Sequence, residues 1–522
     1  MSLGIQVAGR NGAALAIAEA LSHATLPAAR LTIAADWENL RDLHGLDEES
    51  NGPFLLIENA GGGHAAVGPV FDSEGAGCFQ CYIARRRANG GRECRPVDSL
   101  NGNILNGLVD EVKELVSGRS ALRHAQIEIA PSGLRTRHCF LPVPSCKRCA
   151  RRPRGKRVLQ LEDLVSPRLG LVHEIRRIPG APDGMVGIEA VGCRTDAFAP
   201  GRALNRGMAL AYSESDARRR AIAESVERYC AALPGDSLPL ARPDELAGAW
   251  LDPSRFPAVD IPLTSGSRLR WVKGAMLCSE EEVWAPASLV YVPYDAAPNE
   301  TAADMQFSVG LAAGANLEDA IRHGLAEIVE RDTSLRAWRM SQPVEALAAG
   351  PRQIEGLHLA RIPNDSGLEV VTAFLEQPIA PLTSTGLGAR PAIEEAAQHA
   401  VIEALQSRLW LVQWLGQNPA GFGWPSRTMN DNAAAHALWP ALAGSRARWL
   451  HPPIAARTNG PPKDWNDILR RFPGACRVDI TTPDVDAACL KVVRVLAPGR
   501  ILADDDALRP RIGGCILPHP FG

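Results

Sequence analysis

Two short stretches of this chain carry acidic residues at a spacing that could do chemistry. AIAESVERYC sets Glu224 and Glu227 three residues apart with Arg228 next in line, and GLAEIVERD does the same with Glu327, Glu330 and Arg331. Residues three apart on a helix share a face, so each pair brings two negative charges to about 5–6 Å at the Cβ atoms, where they repel unless a cation is shared. Glutamate pairs of this kind also decorate ordinary solvated helices; it is the repetition on two long helical segments that points to a site. If those helices pack side by side, four carboxylates can hold hard divalent ions such as Mg2+, which neutralise nucleotide phosphates. Arg228 and Arg331 have two roles open to them: contact with phosphate oxygens, or ion pairing that holds the glutamates in place.

A third helical pattern contains VIEALQSR, in which Glu403 and Gln406 share a face and Arg408 follows. The preceding TSTGLGARP reads as a loop whose two glycines permit its close approach to a ligand. QFSVGLAAGAN reads as a Ser/Gly/Ala-rich loop that feeds the start of the second helix. Free amides and the helix dipole favour anions there. Asp319, in the first turn of that helix, fits equally a ligand role and plain stabilisation of the helix N-terminus.

The cysteines supply a second constellation. Cys78 and Cys81 form C-F-Q-C, and Cys146 and Cys149 form C-K-R-C. Each two-residue spacer turns both sulfurs to one side, and two such pairs converge on one tetrahedral Zn2+. Four thiolates close the coordination shell, so the role expected is structural. A redox reaction would need only one pair. Cys94 and Cys139 lack a matching spacing and fall outside the expected site, while Cys230, Cys278 and Cys489 read as small buried apolar residues.

These groups need elements to hold them. Residues 1 to about 70 alternate a strand at Ile5 to Val7, an Ala/Leu-rich helix at Ala13 to Leu21, and strands at Leu31 to Ala34 and Phe54 to Ile57. The first turn, VAGRNG, lacks a full GxGxxG and reads as simple strand-to-helix geometry rather than a nucleotide loop. The basic run KRCARRPRGKR closes the cysteine-bearing region, either as a solvated linker or as a patch for an acidic peptide, and the domain boundary is expected at residue 158. Beyond it, strands at Val186 to Val191, Leu269 to Ala275 and Leu368 to Phe374 alternate with helices at Asp216 to Ala232, Leu317 to Arg339 and Ile393 to Leu415. The predicted class is α+β, with a small α/β domain over 1–158 and a larger domain over 159–522.

At 522 residues, 46% hydrophobic and 22% charged, the composition is that of a globular protein of more than one domain. No apolar run reaches the ~20 residues of a membrane span, and the first residues, MSLGIQVAGRNG, carry no secretory signal pattern. A cytoplasmic location is expected. A net charge of −3 gives no general electrostatic reason to bind nucleic acid or an anionic membrane.

Three phrases, SESDARRRAIAESVERY, SVGLAAGANLEDAIRHGLAEIVERD and EEAAQHAVIEALQSR, resemble in this order the signature stretches of the YcaO superfamily, and LVSPRLGLV resembles the usual start of its catalytic domain. The resemblance implies an ATP- and Mg2+-binding fold over residues 161 to 522. By it, Glu224, Glu227, Glu327 and Glu330 serve magnesium and phosphate, and Arg331, Gln406 and Arg408 are nucleotide-binding candidates. The family's best-known members turn Cys, Ser or Thr of ribosomal precursor peptides into azolines. Sister reactions give thioamides or amidines, and a non-catalytic peptide-presenting scaffold is the reading of another class. VGPVFDSEGAGCFQC and FLPVPSCKRC resemble the zinc-bearing, ubiquitin-activating-enzyme-like partner domain often fused to azoline-forming members. No winged-helix segment precedes it, so the resemblance implies leader recognition by a separate protein, and the pathway implies a flavin-dependent dehydrogenase and a homo- or hetero-oligomer. The final Pro518, His519, Pro520, Phe521 and Gly522 resemble the Pro-x-Pro-x-Pro tail of azoline formers with glycine at the last position, which offers His519, Pro520 and the Gly522 carboxylate as catalytic candidates.

Overall fold

The structure, a computed structural model, describes residues 5–24, 30–37, 43, 52–91, 94–150, 159–199, 205–235, 238–257, 261, 263–303, 306–340, 342–347, 354–376, 383–417 and 464–502. It divides into two compact units, one of Met1–Ile175, Val191–Asn205 and Thr482–Cys489, the other of Arg176–Ala190, Arg206–Thr481 and Leu490–Gly522. Residue 158, the expected boundary, lies outside the described residues.

The first unit is built on a six-stranded sheet whose spatial order is its chain order: β1 (Ile5–Ala8), β2 (Leu31–Ala34), β3 (Phe54–Gly61), β4 (His64–Phe71), β5 (Ala125–Ile129) and β6 (Arg135–Cys139). β1, β2 and β3 run parallel and the rest antiparallel. Successive side chains on a strand point to opposite faces, and β3 shows the consequence. Leu55 and Ile57 join a core with helices α1 (Gly12–Ser22) and α3 (Gly102–Val116), through Ile17, Leu108 and Val112. Phe54 and Leu56 join the opposite core with α2 (Phe79–Ala88) and the aromatic rings of Phe71, Tyr82 and Phe140. Asn11 and Asn101 start α1 and α3 by accepting from the N–H of Ala14 and Ile104, both at 2.9 Å. The VAGRNG turn is therefore a capped strand-to-helix connection, as its sequence suggests.

The second unit contains three long helices, α5 (Glu214–Ala231), α6 (Leu317–Arg339) and α7 (Ile393–Gln417), and the strands that end three sheets. Strand β9 (Arg206–Ala211) ends the order β7-β8-β9, with β7 Val172–Ile178 and β8 Val186–Gly192. Strand β18 (Ser384–Arg390) ends the order β15-β16-β17-β18, with β15 Glu345–Leu347, β16 Leu357–Ile362 and β17 Glu369–Leu375. Strand β14 (Leu311–Gly314) ends a larger sheet beside β20 (Lys491–Leu496) and β19 (Cys476–Asp479), which continues into β12 (Leu269–Met276) and β13 (Glu282–Pro286). β9, β14 and β18 each precede one of the helices and lie against it. The approach is close enough to require glycine: a Cβ on Gly207 would sit 2.0 Å from the Ala221 carbonyl oxygen, and one on Gly386 2.1 Å from that of Ala400. Among the described residues no helix is long and apolar enough to cross a membrane.

Candidate functional site

The last strand of a sheet leaves a row of backbone N–H groups without a ladder partner, and folded proteins must satisfy or protect them. Here the glutamates do so. Glu224 accepts from Met208 N–H (2.8 Å), Glu327 from Gly310 N–H (2.8 Å) and Glu403 from Leu387 N–H (2.6 Å). In each case the helix reaches back to the strand that precedes it, or for Gly310 to the residue just before β14, 16, 17 and 16 residues away. The residue three further along each helix reaches across to the next module. Glu227 accepts from Ala313 N–H (3.1 Å), Glu330 from Ala389 N–H (2.7 Å) and Gln406 from Leu210 N–H (3.2 Å).

The result is a closed cycle of three strand-helix modules, in which α5 caps β9 and β14, α6 caps β14 and β18, and α7 caps β18 and β9. Five carboxylates and one amide form the ring. Two glutamate pairs from two helices, the arrangement the sequence suggested, are thus two thirds of a threefold device. Glu403, noticed only for sharing a face with Gln406, belongs to it on equal terms with the other four glutamates.

Two histidines extend the pattern. His323 donates from Nδ1 to the Ala313 carbonyl and His399 to the Leu387 carbonyl, both at 3.0 Å, so each caps the C=O of a residue whose N–H a glutamate caps. The accepting carbonyl fixes the proton on Nδ1. Sequence reasoning missed both, although each stands four residues before the first glutamate of its pair, on the same helix face. It also missed Arg494 on β20. Arg494 is buried, donates to the carbonyls of Leu289 (3.0 Å) and Phe307 (2.7 Å), and lies over the Phe307 ring. Burial pulls its pKa down to about 10 against the charges of Glu327 and Glu227.

The carboxylates are electrostatically crowded. Burial lifts Glu227 well above the usual carboxylate range, with the charges of Glu327 and Glu224 adding to it. Burial likewise raises Glu327 to about 7 and Glu403 to about 8, the latter helped by Glu330. Two arginines offset part of this. Arg228 pairs with Glu224 at 2.8 Å, and its charge also acts on Glu227, while the charge of Arg331 acts on Glu327 and Glu403. Arg390 stands 3.4 Å from Glu330.

The donor set fits a hard divalent cation. Each carboxylate meets the strand edge through one oxygen, leaving the second oxygen of Glu227, Glu327, Glu330 and Glu403 outside those bonds. Among the described residues, these oxygens do not gather in threes within 4.8 Å as the cysteine sulfurs do. A ring of this kind suits Mg2+, which commonly takes one or two carboxylates and completes its shell with phosphate and water.

The remaining candidates are placed as follows. Asp319 is partnered by Asn316, whose side-chain oxygen accepts from its N–H (2.9 Å) and whose amide donates to its carboxylate (2.7 Å); it stabilises the start of α6. Arg408 is half-buried on α7, and burial lowers its pKa. His519, Pro520 and Gly522 lie outside the described residues.

In the first unit, Cys78, Cys81, Cys146 and Cys149 converge, with Sγ atoms within 4.8 Å of one another. Cys78 lies 3.7 Å from Cys81 and 3.8 Å from Cys146, and Cys81 lies 3.7 Å from Cys149. These are far beyond a disulfide bond. They match the edge of a sulfur tetrahedron around Zn2+, about 3.8 Å for a Zn–S distance of about 2.3 Å. Neighbouring Cys149 and Cys78 thiols, with burial, push Cys81 upward, while hydrogen bonds from Cys149 and Cys81 pull Cys78 down; four thiolates packed this closely repel one another and are best held around a shared cation. Cys94 instead sits in a buried network of Glu58, Arg86, Tyr82, Gln126 and Arg168, and Cys139 contacts Asp163.

The geometry has counterparts. Against solved structures, the chain is similar to a heterocyclase in complex with substrate and cofactor (TM-score 0.69, 18% identity, 99% of this chain and 85% of that one). It is also similar to the heterocyclase TruD (TM-score 0.62, 17% identity, 98% and 81%). At these identities the likeness establishes a shared fold. An uncharacterized protein of Methanothermobacter thermautotrophicus is 31% identical over 216 residues, 38% of this chain and 55% of that relative, so the match spans about half of its length. The model of YcaO cyclodehydratases, described as ATP- and Mg2+-binding, matches residues 210–500. That span is more than half of the chain and includes all three helices that build the ring; the chain belongs to the YcaO cyclodehydratase family.

Proposed function

We propose that this protein is an ATP- and Mg2+-dependent cyclodehydratase that converts Cys, Ser or Thr of a ribosomal precursor peptide into azolines. The observation that carries this reading is the ring of five carboxylates and one amide on three strand edges, in a chain of this family. In the reaction, the peptide's thiol or hydroxyl adds to the preceding amide carbonyl and gives an oxyanion. That oxygen attacks the terminal phosphorus of ATP, and ADP leaves. Loss of the amide proton and of phosphate carrying the former carbonyl oxygen completes the C=N bond. An amide oxygen is a poor leaving group, which is the chemical need for ATP.

Glu227, Glu327, Glu330 and Glu403 are the residues proposed to hold Mg2+, with Glu224 held by Arg228. When bound, Mg2+ neutralises the charge that builds on the transferring group. Arg331 is proposed to meet phosphate oxygens, since its charge already acts on Glu327 and Glu403. Fixing each carboxylate to a backbone N–H orders the site before nucleotide arrives, which lowers the reorganisation needed during transfer. The four cysteines are proposed to bind one structural Zn2+. A precursor peptide and a separate leader-binding protein are the proposed partners, and the ATP-supplied cytoplasm is the proposed setting.

The test is incubation of purified protein with precursor, ATP, Mg2+ and any leader-binding partner. Loss of one water per modified residue, matched by ADP and phosphate, is expected. Oxygen-to-sulfur exchange would instead indicate thioamide formation, AMP and pyrophosphate would indicate adenylation, and the absence of phosphate release would favour a scaffold.

A further inference from the structure

One buried carboxylate next to the ring has no part in it. Asp332 follows Glu330 and Arg331 directly on α6, and its side chain is almost fully buried. Its Oδ1 accepts from Ile501 N–H (2.8 Å) and from Arg336 Nε (2.8 Å), and its Oδ2 accepts from Arg500 Nη1 (2.9 Å). Arg336, one turn along, also donates to the Gly499 carbonyl at 2.8 Å. Residues 499–501 are therefore bonded at three points to two neighbouring residues of the helix that carries Glu327 and Glu330. The Arg500 guanidinium lies over the Phe472 ring at 4.9 Å, and Ile501 and Leu502 are each 1% exposed.

Such an arrangement is expensive to leave incomplete. Asp332 is the buried member of this group, while Arg336 and Arg500 keep part of their side chains in solvent, so removing either arginine leaves a buried carboxylate short of a partner. A helix turn is also a stiff connection. Any adjustment of the Glu330 carboxylate, which is tied to Ala389, must be accommodated within the same turn that holds Asp332.

We propose that Asp332 is a positioning residue, coupling occupancy of the carboxylate ring to the placement of residues 499–502. The proposal rests on the nucleotide-binding reading given above. When a nucleotide and Mg2+ draw in Glu327 and Glu330, the next turn of α6 tightens on Ile501 and Arg500. The segment leading toward the C-terminus is then held from a fixed point beside the site.

Hydrogen exchange of the full chain, with and without a non-hydrolysable ATP analogue and Mg2+, tests this. In the native protein, nucleotide should slow exchange across 499–502 by about tenfold, together with slowing at the strand edges 310–314 and 384–390. Asp332→Asn should abolish the nucleotide-dependent change at 499–502 and preserve it at the strand edges. Arg500→Met, which removes the donor and keeps a side chain over Phe472, should behave alike and decides the matter if Asp332→Asn does not fold. A purely structural role would raise exchange at 499–502 equally in both states and keep the nucleotide difference, which overturns the proposal. Slowing at the strand edges without any at 499–502 in the native protein overturns it too, while leaving nucleotide binding intact. No change at any of these segments overturns both.

Discussion

The Gln406 side-chain oxygen accepts a hydrogen bond from the backbone N–H of Leu210, 196 residues earlier in the chain, at 3.2 Å. This contact closes the cycle of three modules, and it is made by the one uncharged member of the six. An amide serves a strand edge as well as a carboxylate does, but adds no charge to a crowded site. A sixth carboxylate would have to be desolvated beside five others. Gln406→Glu should therefore leave the ring able to form and raise its demand for cation: thermal stability at pH 8 without Mg2+ should fall, and added Mg2+ should recover more stability than in the native protein. Calorimetric scans at several Mg2+ concentrations check this.

Capping and proposed metal binding are separable at Glu327. Glu327→Gln retains an acceptor for Gly310 N–H, so the melting temperature should hold or rise, while ADP formation should fall by at least about a hundredfold, as expected when a charge that organises phosphoryl transfer is lost. Glu327→Ala removes the acceptor as well and should cost about 1–3 kcal/mol of stability for the orphaned donor. Equal stability for the two variants would argue against the edge role.

The raised carboxylates predict a pH dependence of definite sign. Glu327 is pushed up to about 7 and Glu403 to about 8, each by burial first. A carboxyl whose pKa is higher in the folded than in the unfolded chain stabilises the fold at low pH, and that contribution is lost as pH rises through the folded value. Metal-free protein should lose stability between about pH 5 and 8 on this account. Mg2+ binding should release protons near neutrality and tighten as pH rises. Titration calorimetry in buffers of different ionisation enthalpy measures the protons released.

Zinc is expected to contribute folding free energy to the first unit. Cys81→Ser should reduce bound zinc from about one per chain toward none and destabilise that unit by several kcal/mol. Elemental analysis and chelator-dependent melting read the outcome. Unchanged zinc content would exclude the four-cysteine site.

At Gly386 the strand lies directly on its helix, and a Cβ would stand 2.1 Å from the Ala400 carbonyl oxygen and 2.4 Å from the Ala404 nitrogen. Gly386→Ala must push β18 from α7, disturbing Leu387 and its bond to Glu403. A loss of about 3 kcal/mol or more is expected, since backbone atoms cannot yield as a flexible side chain can. Chemical denaturation measures it.

How far these features were legible varies with their physical origin. The i, i+3 glutamate pairs and the two CxxC pairs are local geometry, and the sequence shows them plainly. The three helices follow from apolar periodicity, with boundaries within a few residues, as do strands β8, β12 and β17; TSTGLGARP and QFSVGLAAGAN, which read as loops, instead form β18 and β14, because their glycines let the backbone lie directly on a helix. What the sequence does not display is the acceptor-to-donor matching. Leu387 and Ala389 look like any strand residues, and only tertiary placement gives their N–H groups to Glu403 and Glu330. His323 and His399 escaped notice because a histidine on a helix face is ordinarily unremarked, and their shared offset from a glutamate acquires meaning only once Ala313 and Leu387 lie beneath them. Arg494 reads as one polar interruption in the apolar run VVRVL. Its partners Leu289 and Phe307 lie about two hundred residues upstream.

Occupied edges have a further consequence for how a peptide can be received. An extended chain commonly docks by adding itself as a new strand, borrowing main-chain donors that a sheet has left over. At β9, β14 and β18 the donors at Met208, Leu210, Gly310, Ala313, Leu387 and Ala389 are already taken by side chains. A guest peptide cannot lengthen these three sheets there without evicting a glutamate or the glutamine, so its main chain must find its grip elsewhere. The same six side chains keep neighbouring molecules from templating on these borders, and stripping them should turn a self-contained fold into one prone to stack.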